Sequence, residues 1–219
     1  MSNARATEAM RKLTETGGLL DPGPDLSRLL IRLMRELAQG RPVPKDRLDQ
    51  IVADMGIDRE DAYRSLRKWA ERDADGDVFG VIGLSLNDTP HHFYVNGTRM
   101  STWCAADALF VPAVLGRAAT VESKSPVSGE RIRLTVSPQG VEEVDPAGAV
   151  VSIVIVDPDE ANTGSVEAIW GAFCHHIFFA SHEEARRWAA GRDDIEILSV
   201  EEAHELMRLV FSRVLAYGE

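Results

Sequence analysis

The chain has 219 residues, of which 44% are hydrophobic and 27% charged, a composition typical of a globular protein of one or two domains. Its formal net charge of −11 repels nucleic-acid phosphates and anionic membrane surfaces, so neither is an expected partner. No apolar run approaches the roughly 20 residues that span a bilayer, and the N-terminal stretch lacks the apolar core of a signal peptide, so we expect a cytoplasmic location.

The first third of the chain predicts a polar leader and three short helices. Residues 1–24 are polar, with the turn-rich "GGLLDPGPD" at 17–25 as punctuation, and predict a loose or weakly helical leader. The next segments, "DLSRLLIRLMRELAQG", "PKDRLDQIVADMG" and "DREDAYRSLRKWAER", carry apolar residues at helical spacing. Acidic and basic residues alternate on the third helix, which extends through Glu71 and Arg72, and this pattern indicates a solvated face rather than a DNA-binding one.

Two strands follow these helices. "DVFGVIGLSL" and "HHFYVNGTRM" have strand composition, and Asn96-Gly97 is a hairpin turn signal. Three helices followed by a small hairpin have the outline of a winged helix. The sequence therefore predicts a leader at 1–24, a winged-helix-like helical domain at 25–84 and a catalytic core at 85–219.

The second part of the chain predicts an α+β core of antiparallel strands with flanking helices. "STWCAADALFVPAVLG" predicts a helix that is capped by Ser101 or Thr102 and broken near Pro112. Alternating segments up to residue 157 predict antiparallel strands, 159–164 a loop, and the segment after Cys174 a further strand. Reciprocal caps, each a serine and the glutamate three residues later, are expected to open the last two helices: Ser181 with Glu184, and Ser199 with Glu202.

The stretch "WCAADALF" places a thiol and a carboxylate on one helix face. Cys104 and Asp107 are three residues apart, and residues at this spacing are neighbours on a helix. A helix start and a nearby base both favour a thiolate, so we expect Cys104 to ionise readily. A neighbouring thiolate and an apolar wall are expected to raise the pKa of Asp107. The residues alone leave three interpretations of Cys104: a buried small hydrophobe, a disulfide partner or a reactive group.

The other cysteine, Cys174, lies far along the chain in "GAFCHHIFF", so only the fold could bring the two thiols together. Two thiolates and a carboxylate suit a soft, thiophilic metal better than magnesium or calcium. A redox disulfide is the alternative, although the usual Cys-x-x-Cys spacing is absent. Of the neighbouring histidines, His175 and His176, at most one is expected to face a site, because adjacent residues on a strand point to opposite faces.

Several segments resemble the bacterial organomercurial lyases, also called alkylmercury lyases. "LMRELAQGRPV" in the front half, "WCAADALFVPAVLGR", "LTVSP" at 134–138, "VDPAG" at 144–148 and "FCHHIFFAS" at 173–181 match that family in order and spacing. The resemblance covers roughly residues 26 to 215. Its most specific element is the pairing of Trp-Cys-x-x-Asp with a distant Phe-Cys-x-His-x-Phe-Phe.

The resemblance implies an enzyme that cleaves carbon–mercury bonds of alkyl and aryl mercurials by protonolysis, giving R–H and Hg(II). The family's active-site positions match Cys104, Asp107 and Cys174. The two thiols are expected to hold the mercury of substrate and product, with Asp107 as an additional ligand and proton carrier, and Cys104 is expected to attack first. No organic cofactor is implied, and mercuric reductase or small thiols are the implied acceptors of Hg(II). An apolar pocket for the organic group is expected from aromatic side chains beside the thiols: Trp103, Phe173 and Phe178.

The chain departs from the family pattern at two positions. Many members have a further cysteine where this chain has His175, and another in the loop where Ser125 is the nearest match. Both remaining cysteines thus fall on the motif. Two other functions fit the two thiols without the resemblance: a winged-helix sensor of soft metals, which would bind DNA, and a thiol oxidoreductase, which would form a Cys104–Cys174 disulfide.

Overall fold

The computed structural model describes residues 3–15, 18, 20–157, 161 and 163–217, which form helices packed on antiparallel sheets. The helices are α1 Asn3–Thr14, α2 Pro24–Leu37, α3 Lys45–Asp54, α4 Arg59–Trp69, α5 Ala105–Leu115, α6 Val166–Phe173, α7 His182–Trp188, α8 Val200–Val210 and α9 Ser212–Ala216. The strands are β1 Ala70–Arg72, β2 Val78–Val81, β3 Leu84–Ser85, β4 His91–Val95, β5 Thr98–Thr102, β6 Ala119–Lys124, β7 Arg131–Val136, β8 Val141–Asp145, β9 Val150–Val154, β10 Ile177–Phe179 and β11 Ile195–Ser199.

Within the described residues, eight strands form one antiparallel sheet in the order β1-β2-β3-β5-β4-β6-β7-β8, and a smaller sheet has the order β10-β9-β11. The predicted α+β class is confirmed. The large sheet continues through the predicted domain boundary at residue 84, because Leu84 on β3 pairs with Thr102 on β5. The division into three segments and the winged-helix description of the first domain stay predictions. No helix in the described part of the chain is long and apolar enough to cross a membrane.

The helix α5 lies at the centre of the molecule and is apolar on nearly every side. It packs against α2, α8 and strands of both sheets, which is why "AADALFVPAVL" has no polar face of its own. The predicted break near Pro112 is wrong: the helix continues to Leu115 and ends at Gly116, whose φ is 65°. A proline removes one helical hydrogen bond, and the burial of the whole helix offsets that loss.

The segment between α4 and β3 differs from its prediction in two ways. The third helix ends at Trp69, and Glu71 lies on β1 opposite Gly80 with its side chain buried rather than solvated. "DVFGVIGLSL" forms two strands instead of one, because Ile82 and Gly83 have positive φ values of 39° and 93° and turn the chain. This turn brings residues 80–84 back toward the start of α5.

The predicted turn and one of the two predicted reciprocal caps are confirmed. Asn96-Gly97 closes the β4–β5 hairpin, and Ser199 with Glu202 forms the reciprocal cap of α8. Ser181 accepts from the amide of Glu184, but the carboxylate of Glu184 does not return the bond and instead accepts from Ser125 Oγ at 2.5 Å. Residues 159, 160 and 162 of the predicted 159–164 loop fall outside the described residues, as do parts of the leader.

Candidate active site

Cys104 lies where β5 meets α5, and it is the N-cap residue of that helix rather than a member of its first turn. Its backbone is extended, with φ −148° and ψ 177°, and the residue is only 3% exposed. The carbonyl of Cys104 accepts a hydrogen bond from Thr102 Oγ1 at 3.0 Å. Ser101 and Thr102, which were expected to cap the helix, belong to β5 instead. The strand therefore delivers the thiol directly to the helix start.

Asp107 is held against the helix start by a reciprocal cap. Its Oδ2 accepts from the amide of Cys104 at 3.0 Å, so a cysteine occupies the capping-box position that serine or threonine usually takes. Gly83, with its φ of 93°, lies directly against the carboxyl: a Cβ at this position would be 2.5 Å from Asp107 Oδ1. Only glycine permits both this backbone conformation and this close approach. The β2–β3 turn thus covers one side of the carboxyl, and Asp107 remains partly exposed.

Cys174 follows the last residue of α6 and ends that helix. Its φ of −88° and ψ of 46° are not helical, and its amide donates to the carbonyl of Trp170 at 3.0 Å. The next residues connect to the Cys104 segment, because the amide of Ala105 donates to the carbonyl of His176 at 3.1 Å. The buried ring of His176 in turn accepts from the amide of Val154 through Nδ1 at 3.1 Å. The backbone hydrogen bond between Ala105 and His176 therefore ties the two thiol-bearing segments to each other.

The fold brings together the three residues that the sequence singled out. One ligand atom from each of Cys104, Asp107 and Cys174 lies within 4.8 Å of the other two. Both cysteines are free thiols, Cys104 buried and Cys174 partly exposed. Two sulfurs and one carboxylate oxygen at this spacing offer a soft metal two sulfur ligands with an acid beside them.

The electrostatics of this cluster are dominated by burial. Removal from water raises the pKa of the Cys104 thiol well above its ordinary value, and the neighbouring Cys174 and Asp107 raise it further. The expectation that the helix start would make Cys104 a ready thiolate is therefore wrong, because desolvation outweighs the helix dipole. Burial also raises the pKa of Asp107 to about 6, although hydrogen bonds from Cys104 favour its ionised form. At neutral pH the proton therefore resides on Cys104 and the charge on Asp107.

Trp103 is fixed beside the site by a buried carboxylate. Its indole Nε1 donates to Glu71 Oε1, and its ring meets that of Trp170 edge-on at a centroid distance of 5.6 Å. Trp170 is one helical turn before Cys174, and Trp103 directly precedes Cys104. Each cysteine thus has a tryptophan within one helical turn of it in the chain, and the two indoles are in contact.

The other residues predicted for the site lie on α6, on β10 and in the segment between them. Phe173 is the buried last residue of α6, and Phe178 is fully buried on β10, where its ring meets that of His91 at 5.7 Å. Their assignment to the substrate pocket stays a prediction. His175 and His176 lie between α6 and β10 rather than on a strand; His175 is exposed and its Nε2 contacts the carbonyl of Gly171 at 2.8 Å.

Comparison with known proteins identifies the family. A family model described as alkylmercury lyase matches residues 84–212. The chain belongs to the alkylmercury lyase family. An alkylmercury lyase of Pseudomonas putida is 35% identical over 212 residues, with 95% of each chain covered. The alkylmercury lyase of Streptomyces lividans is 37% identical, with 94% of this chain and 92% of the relative covered. The crystal structure of the mercury-bound form of MerB2 has a TM-score of 0.69 at 21% identity over 98% of each chain, which shows a shared fold.

The resemblance to the alkylmercury lyases inferred from the motifs is confirmed, but sequence reasoning missed residues that surround the cluster. Gly83 had a signal, since a glycine inside a strand pattern often marks a bulge or a close backbone approach. Glu71 had none, because its helical spacing and charged neighbours are typical of a solvated surface. Trp170 lies in a predicted apolar segment and had no feature that linked it to Trp103. These contacts depend on long-range packing.

Proposed function

We propose that this alkylmercury lyase family member is an enzyme that cleaves the carbon–mercury bond of organomercurials by protonolysis, with Cys104, Cys174 and Asp107 as its catalytic residues. The observation that carries the proposal is the cluster itself: two free thiols and a carboxyl within 4.8 Å. Thiolates are soft ligands that prefer mercury, and the carboxyl, with a pKa of about 6, can both accept and donate a proton near neutral pH.

The exposure of the two thiols supports an order of events. Cys174 is partly exposed, whereas Cys104 is buried and its thiol has a raised pKa. An incoming mercurial R–Hg–X therefore meets Cys174 first. The Cys174 sulfur displaces X, the thiol proton leaves with X, and the product is Cys174–S–Hg–R. This order reverses the expectation that Cys104 attacks first.

The second thiol supplies the proton for cleavage. When the Cys104 sulfur binds the mercury, its proton passes to the Asp107 carboxylate, which lies within 4.8 Å. Two sulfur donors load electron density onto the metal and weaken its bond to carbon. Asp107 then delivers the proton to that carbon, R–H leaves with the electron pair of the broken bond, and mercury remains bound between the two sulfurs. Asp107 ends as a carboxylate, as it began.

Release of Hg(II) requires a thiol exchange. Two external thiols displace the two cysteine sulfurs, each passing its proton to the sulfur that it replaces. We propose small thiols or mercuric reductase as the acceptors. The cycle uses side chains alone and needs both cysteines reduced, which fits a cytoplasmic location.

Hydrocarbon release tests this function. Methylmercury and phenylmercury are incubated with the wild type, Cys104→Ser and Cys174→Ser, and methane and benzene are measured by gas chromatography. We expect stoichiometric hydrocarbon from the wild type and none above background from either variant, because one sulfur cannot activate the bond. Ser125→Ala, outside the cluster, is the control and should retain activity. Normal turnover by either cysteine variant contradicts the two-thiol mechanism.

A further inference from the structure

Glu71 is a buried acidic residue for which the proposed reaction has no use. Its side chain lies on β1, and both of its carboxylate oxygens accept hydrogen bonds from neutral donors, Oε1 from Trp103 Nε1 and Oε2 from Asn87 Nδ2. Burial of a carboxylate is costly, and neutral donors compensate less than a cation does. A packed apolar side chain would be a less costly choice at a position with only a structural role.

The backbone around Glu71 is arranged to accommodate this carboxylate. Gly80 is its partner on β2, and a Cβ at Gly80 would lie 2.1 Å from Glu71 Oε1. A side chain at position 80 would therefore displace the carboxylate from Trp103. The amide of Trp103 is also fixed, since it donates to the carbonyl of Gly83 at 2.9 Å. The β1–β3 segment thus holds Trp103 at both its backbone and its indole.

The fixed indole continues into a second aromatic side chain. Trp103 meets Trp170 edge-on, an arrangement that aromatic pairs favour. Trp170 and Glu71 also line a cleft of about 560 Å³ between the α4–β1 segment and the start of α6. The indole Nε1 of Trp170 is buried without a hydrogen-bond partner, so this ring is held by packing alone. The orientation of the pair therefore depends on the bond between Glu71 and Trp103.

We propose that Glu71 is a positioning residue that fixes Trp103 against Trp170, and that the two indoles form an aromatic wall which receives the organic group of aryl mercurials. This inference rests on the proposed function. Trp103 directly precedes Cys104, and Trp170 lies one helical turn before Cys174. We therefore place the indole pair beside the captured mercury, where an aromatic ring bound to the metal has two π faces or edges to contact. A methyl group is too small to gain much from the same surface.

The test compares phenylmercury with methylmercury in steady-state kinetics of hydrocarbon release. Glu71→Ala should raise the KM for phenylmercury by about three- to tenfold, the range that one aromatic contact gives, and should change the KM for methylmercury by less than about twofold. The kcat for both should stay within about twofold of the wild type. Glu71→Gln keeps an acceptor for Trp103 Nε1 and should restore the wild-type KM for phenylmercury. The intrinsic tryptophan fluorescence should shift in Glu71→Ala and return in Glu71→Gln.

Glu184→Ala is the matched control, because Glu184 is also a buried carboxylate with a neutral donor, Ser125 Oγ, but lies on α7. It should leave both KM values unchanged. If Glu71→Ala does not fold, Trp170→Leu tests the same wall and should show the same selective rise for phenylmercury. Equal changes for both mercurials, or no recovery in Glu71→Gln, overturn the proposal while leaving the lyase function intact. Failure of the wild type to release hydrocarbon from either mercurial contradicts both.

Discussion

The two thiols lie at opposite ends of their helices and differ in their exposure to solvent. Cys104 begins α5, is buried, and is tied by its amide to Asp107 and by its carbonyl to Thr102. Cys174 ends α6, is partly exposed, and has a single backbone tie to the preceding helical turn at Trp170. In the proposed mechanism this difference separates two tasks: the partly exposed thiol captures a mercurial, and the buried thiol, with its raised pKa, stores the proton that the reaction consumes.

We expect the carboxylate of Asp107, beside the buried thiol, to lower the free energy of unfolding of the protein. The folded pKa of Asp107 is about 6 against an ordinary value of 3.8, so the folded state binds this proton more tightly and loses stability as pH rises from about 4 to about 6. Asp107→Asn removes this charge but keeps an oxygen for the amide of Cys104. We expect the variant to be more stable than the wild type by about 1 to 3 kcal/mol at pH 8, at about 1.4 kcal/mol for each pKa unit, with no gain at pH 4.

Urea unfolding of both proteins at the two pH values measures this difference. Asp88→Asn, a change at an exposed carboxylate paired with Arg99, is the control and should show no comparable gain at pH 8. An Asp107→Asn protein less stable than the wild type at pH 8 contradicts the destabilising setting of the Asp107 carboxylate.

The partly exposed Cys174 should capture mercurials faster than the buried Cys104. Cys104→Ser leaves only Cys174, and Cys174→Ser leaves only Cys104. The thiolate is the nucleophile, and each unit by which the pKa is raised reduces its fraction about tenfold. We therefore expect Cys104→Ser to bind phenylmercury at least about tenfold faster than Cys174→Ser, as measured by stopped-flow loss of free thiol. Equal rates, or faster binding by Cys174→Ser, would contradict the proposal that Cys174 captures the mercurial and Cys104 stores the proton.

Part of the fold and of the thiol cluster could be predicted from the sequence. The spacing of Cys104 and Asp107 placed both at the start of one helix, of which Cys104 is the N-cap, and the family resemblance pointed to Cys174 as the third member of the cluster. Local patterns also predicted the α+β class and the Asn96-Gly97 hairpin. The raised pKa of Asp107 was expected because carboxyls in apolar surroundings hold their protons.

What the sequence could not show depends on distant parts of the chain. The pKa direction of Cys104 was mispredicted because the degree of burial comes from packing that no local pattern encodes. Glu71 was placed on a solvated helix, since only the antiparallel pairing with Gly80 reveals it as buried. The difference in exposure between Cys104 and Cys174 likewise follows from the way in which α5 lies between two sheets while α6 lies beside a cleft.

A single-turnover experiment tests most directly whether Asp107 carries the proton from the buried thiol to carbon. The wild type, Asp107→Asn and the Asp88→Asn control are each mixed with one equivalent of phenylmercury, and benzene is quantified after rapid quenching. We expect Asp107→Asn to bind the mercurial fully yet release benzene at least about 100-fold more slowly than the wild type, the usual loss for a removed general acid, while the control matches the wild type. Benzene release by Asp107→Asn at the wild-type rate would show that another group donates the proton.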